Sequence, residues 1–91
     1  MDKLTKKLAI KNKLGLHARA AALLVQTVNR FEAEVTISKD GQTVDGRSIM
    51  GVLTLAATQG SEIAVEAKGK QAGEALRAVE KLVDKKFFES E

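Results

Sequence analysis

At 91 residues, with 44% hydrophobic and 30% charged side chains, the chain has the size and balance of one globular domain over residues 1–91, not of a disordered or membrane-embedded segment. It holds no cysteine and a single histidine, which excludes disulfides and thiolate metal sites and leaves little from which to build a zinc site. The net charge of +3 is lopsided, because Lys3, Lys6, Lys7, Lys11 and Lys13 are opposed near the N-terminus only by Asp2, a bias that suits a solvated strand face or the steering of an acidic partner.

Those lysines interrupt the N-terminal apolar residues before a signal peptide or membrane span can form, so no membrane insertion and a cytoplasmic location are expected. Leu4, Leu8 and Ile10 share one parity, broken by Lys6, and predict a first strand ending near Asn12. Ala18 to about Arg30 is rich in alanine and leucine, with Ala20, Leu24, Val28 and Phe31 on one helical face. Ala33, Val35 and Ile37 then alternate with polar residues, and Asp40-Gly41 supplies a two-residue hairpin turn into Gln42-Thr43-Val44. Ile49 to Ala56, preceded by Ser48, is too uniformly apolar for a helix with one buried stripe, so part of it should stay exposed. Ile63, Val65 and Ala67 mark another strand, closed by Gly69. Ala72, Ala75, Leu76, Val79, Leu82, Val83 and Phe87 follow helical spacing, with Lys81, Lys85 and Lys86 complementing the dipole near the helix end. Strands with one apolar face need a covering layer, so the order βαββαβα predicts an α+β open-faced sandwich, its four-stranded antiparallel sheet covered on one face by three helices.

The chemistry concentrates at His17, where a loop becomes a helix. Backbone N–H groups at a helix start lack partners, and the summed dipoles place roughly half a positive charge there. That field, reinforced by Arg19, favours an uncharged ring with a free nitrogen lone pair, able to attack a phosphoryl group. The charge so acquired would meet the amides of Ala18 and Arg19 and the Arg19 guanidinium. A lone histidine near a helix start is more often structural, and Arg19 alone would read as an ordinary exposed arginine. Ser48 is by type a helix N-cap, and Ile49, Met50 and Leu53 could be core. Gly69-Lys70-Gln71 lacks the glycine spacing of a phosphate loop. With no tyrosine or tryptophan and only three phenylalanines, the chain offers no stacking platform for nucleic acid.

The run Asn12-Lys13-Leu14-Gly15-Leu16-His17-Ala18-Arg19-Ala20-Ala21 resembles the active-site segment of the HPr family, the histidine-containing phosphocarriers of the phosphoenolpyruvate-dependent sugar phosphotransferase system. Gly46-Arg47-Ser48-Ile49-Met50-Gly51-Val52-Leu53-Thr54-Leu55 resembles that family's regulatory-serine segment, at the matching distance from the histidine. The resemblance implies a carrier, not an enzyme, that takes a phosphoryl group from enzyme I on Nδ1 of His17, with Arg19 against the phosphate, and passes it to an enzyme IIA domain. It further implies that Ser48 can be phosphorylated by an HPr serine kinase, that Ile49, Met50 and Leu53 form a docking patch beside the histidine, and that no cofactor or metal is held. A monomer is expected. The family usually has proline where Ala20 stands, so a looser helix start is anticipated. Two other readings keep the fold: a regulatory binding module working through the Ser48 patch, and a carrier of the nitrogen-linked phosphotransferase branch.

Overall fold

The computed structural model describes residues 3–89; Met1 and Asp2, which open the lysine-rich run, lie outside the described residues, as do Ser90 and Glu91. The elements are β1 (Lys3–Ala9), α1 (Ala18–Val28), β2 (Glu34–Lys39), β3 (Gln42–Asp45), α2 (Ile49–Thr54), β4 (Glu62–Lys68) and α3 (Ala72–Asp84), in the expected βαββαβα order. Every strand pairing is antiparallel, and the strands stand in the order β1-β4-β2-β3. Alternating side chains sort the two faces. Leu8 pairs with Ile63, Val35 with Ala67 and Ile37 with Val65, all buried in the core under the helices. Thr5, Lys7, Thr36 and Glu66, of the other parity, remain exposed or half-buried on the open face. Lys6 shares the parity of the apolar residues, yet its ammonium reaches Glu80 Oε2 on α3 at 2.6 Å, so its stem runs along the apolar face while its charge stays near water. The hairpin turns as expected, with φ of 50° at Asp40 and 84° at Gly41.

Four boundaries differ from those the sequence predicts, the earliest being that of β1, which stops at Ala9 and not near Asn12, although Ile10 still bonds to the segment before β4. The first helix stops at Val28, because Arg30 N bonds to Thr27 O and Phe31 N to Val28 O, tightening the last turn and leaving Phe31 half-buried beyond it. The second stops at Thr54, and Ala56 takes a φ of 49°. At the C-terminus the apolar spacing predicts Phe87 on the helical stripe, but α3 ends at Asp84, and Lys86, Phe87 and Phe88 follow with φ of 56°, 53° and 57°. Left-handed backbone costs about 1–2 kcal/mol at each such residue. Phe87, only 2% exposed, offsets part of this by burying its ring, a contribution of about 1.5–3 kcal/mol. Lys81 occupies the last turn of α3 and Lys85 its cap, whereas Lys86 lies beyond the dipole. The reversed backbone carries Glu89 to the loop that precedes α1.

Candidate functional site

The loop between β1 and α1 is fixed from several sides. Ile10 N donates to Ser61 O and Gly60 N to Ile10 O, both at 2.8 Å, so the strand edge continues beyond β1. Asn12, 1% exposed, donates from Nδ2 to Gly15 O at 2.8 Å and to Glu89 Oε1 at 2.7 Å. Gly15 has a φ of +70°, and a Cβ there would lie 2.3 Å from Ala57 O, so both conformation and space require glycine. Leu16 N then bonds to the same Ala57 oxygen at 2.9 Å, and its side chain is buried.

This leaves His17 as the N-cap of α1, with extended backbone at φ −80° and ψ −179°. Its Nδ1 accepts the Arg19 amide at 3.2 Å, and its carbonyl accepts the Ala21 amide at 2.8 Å. A ring nitrogen that accepts carries no proton, so the ring hydrogen belongs on Nε2. Nε2 faces Glu89 Oε1 at 3.9 Å; the histidine side chain is 31% exposed and the glutamate side chain 11%. Ala18 and Arg19 occupy the first turn, and the exposed Arg19 guanidinium forms no hydrogen bond or ion pair among the described residues. Ala20 is fully buried two residues inside the helix start. Neither Asn12 nor Glu89 has a role that the sequence pattern reveals: Asn12 is marked only by being polar, and Glu89 lies 77 positions from it, past a helix end that periodicity does not show.

The second segment is organised separately. Asp45 Oδ1 accepts Arg47 N at 2.9 Å, and the Arg47 fork donates to Ala33 O at 2.8 Å and Phe31 O at 3.0 Å. Ser48 caps α2, its Oγ accepting Gly51 N at 2.9 Å. Of the expected patch, Ile49 and Met50 are 41% and 71% exposed, while Leu53 is half-buried against the core and contributes less. Leu14, 66% exposed in the His17 loop, is an apolar surface residue that the sequence reading did not single out. Among the described residues no group of histidine, cysteine, aspartate and glutamate is arranged to hold a metal ion, and no helix is long and apolar enough to cross a membrane.

The family described as "PTS HPr component phosphorylation site" matches residues 4–85. This chain belongs to the HPr family. A phosphocarrier protein HPr from Xylella fastidiosa (strain Temecula1) is 46% identical over 82 residues, covering 90% of this chain and 92% of the relative. The crystal structure of HPr-C-His from Thermoanaerobacter tengcongensis matches with a TM-score of 0.89 at 41% identity, covering 100% of both chains. An HPr dimer from the same organism matches with a TM-score of 0.77 at 43% identity, covering 90% of this chain and 94% of that one. The function of the HPr family member described here is accordingly that of a phosphocarrier of the phosphotransferase system, a carrier and not an enzyme.

Proposed function

We propose that His17 is the carrying residue, accepting the phosphoryl group on Nδ1 from phospho-enzyme I and delivering it to an enzyme IIA domain. The observation that supports this is the N-cap geometry, in which the Nδ1 lone pair points at the Arg19 amide while the ring edge remains accessible. The lone pair attacks phosphorus, a P–N bond forms, and the donor's bond to phosphorus breaks with its electron pair returning to the donor nitrogen. The amides of Ala18 and Arg19 and the free guanidinium of Arg19 then receive the phosphoryl oxygens. Such transfer depends on positioning and charge stabilisation, which one imidazole, two amides and one arginine provide. All of these groups come from one copy of the chain, so a monomer suffices, working in the cytoplasm between its partners without a cofactor.

Ile49, Met50 and, in part, Leu53 are the surface offered to both partners. Ser48 has a second role in this reading: phosphorylation by an HPr serine kinase would replace its cap with a dianion at the same amides of α2 and alter the docking face. The carrier reading is tested by incubating the chain with enzyme I and phosphoenolpyruvate and weighing the intact protein before and after acid. One acid-labile phosphate, absent from His17→Ala, is expected. Acid-stable phosphate on Ser48 with none on His17 would instead favour the regulatory module.

A further inference from the structure

We propose that Glu89 is a positioning residue for phosphoryl transfer, a carboxylate that fixes the His17 tautomer and pairs with the ring when it becomes cationic; this rests on His17 being the carrying residue. Three observations converge on it. The Glu89 side chain is 11% exposed, and both its oxygens are engaged: Oε1 accepts Asn12 Nδ2 at 2.7 Å and Oε2 accepts Leu14 N at 3.2 Å. These contacts aim Oε1 at His17 Nε2, at 3.9 Å, on the ring edge opposite the one that meets the helix amides. The chain reaches this position through three successive left-handed residues, Lys86, Phe87 and Phe88, a conformation disfavoured for residues with a Cβ.

The division of the ring follows. A carboxylate on the Nε2 side holds the hydrogen there and leaves Nδ1 as the nucleophile, the role a buried acid plays toward any imidazole that must present one nitrogen. At 3.9 Å the Nε2–Oε1 contact is too long for a hydrogen bond and leaves room for the two groups to close on one another. When Nδ1 takes the phosphoryl group and Nε2 keeps its hydrogen, the ring gains a positive charge and the pair closes. In donation the P–N bond breaks, its electrons neutralise the ring, and the attraction relaxes. By keeping the hydrogen on Nε2 in the phosphorylated state, Glu89 makes the imidazole a better leaving group. Arg19 supports the phosphate from one side of the ring, and Glu89 the ring's charge from the other.

The test compares the full chain, labelled with 15N at histidine, with Glu89→Gln, which can still accept from Asn12 or Leu14 but has lost the charge. In the unphosphorylated proteins, imidazole 15N shifts are expected to show the Nε2–H tautomer predominating, with its ratio to the Nδ1–H tautomer falling about threefold in Glu89→Gln. After phosphorylation, the half-life of phospho-His17 in neutral buffer is expected to lengthen about threefold in the variant, because the leaving ring is less often protonated. If Glu89→Gln does not fold, the same readings are taken on Glu89→Ala, where added formate should restore the wild-type tautomer ratio. Unchanged tautomer ratios and half-lives in a folded variant, or no response to formate, would overturn the role of Glu89. Failure of the wild-type chain to take phosphate on His17 would overturn the carrier reading instead, since the tautomer measurement needs no phosphate.

Discussion

Gly15 and Gly41 both have positive φ, yet only one is hemmed in, and the difference makes a prediction. A Cβ at Gly15 would press to 2.3 Å from Ala57 O, an oxygen already tied to Leu16 N, so neither backbone can yield without moving the His17 loop. Gly15→Ala should therefore cost about 2–4 kcal/mol by urea denaturation and also slow phosphoryl acceptance. Ser48→Ala removes the α2 cap and should cost about 1 kcal/mol in the same assay. The first turn of α1 gives the opposite sign: the amide of Ala20 makes no hydrogen bond among the described residues, so Ala20→Pro should fold and gain about 0.5 kcal/mol by restricting the unfolded chain. A clear fall in melting temperature for that variant would contradict the observed helix start. The cap at Ser48 was legible in its residue type, whereas for His17 the sequence placed the helix start but not the cap, since an imidazole is not among the usual capping side chains. Glu89 was not legible, since its importance arises only when a turn folds it onto a distant loop.

Secondary-structure boundaries were less legible than the elements themselves. Alternation predicted the strands well, but at the end of α3 the apolar spacing runs on to Phe87 although the helix does not. Phe87 satisfies its hydrophobicity from a left-handed turn, and periodicity alone does not distinguish the two ways of burying it. The hairpin is the better-read case, because Asp40-Gly41 carries its backbone requirement in its residue types. With nothing within 4 Å of a Cβ at Gly41, Gly41→Ala should pay only the conformational penalty, about 1–2 kcal/mol, and leave phosphoryl acceptance unchanged. Lys6, which interrupts the apolar parity of β1, is explained by its reach to Glu80. Both side chains keep substantial exposure, at 49% and 30%, so double-mutant analysis of this pair should yield no more than about 1 kcal/mol.

The strand order β1-β4-β2-β3 could not be read from the pattern, which assigns faces to strands but not neighbours. It brings the loop after β1 beside the segment that leads into β4, and this proximity puts Ala57 against Gly15 and Leu16 and so fixes the approach to His17. Folding must establish these distant pairings, but the sequence contains no proline. Refolding should therefore show no slow phase that a prolyl isomerase accelerates, as double-jump experiments would reveal. The most direct measurement remains phosphorus–nitrogen correlation NMR on the 15N-labelled chain after transfer from phospho-enzyme I. It should show a single acid-labile phosphoryl group coupled to Nδ1 of His17 and none in His17→Ala. Phosphorus coupled to Nε2, or phosphate retained in His17→Ala, would contradict a carrier built on the N-terminus of α1.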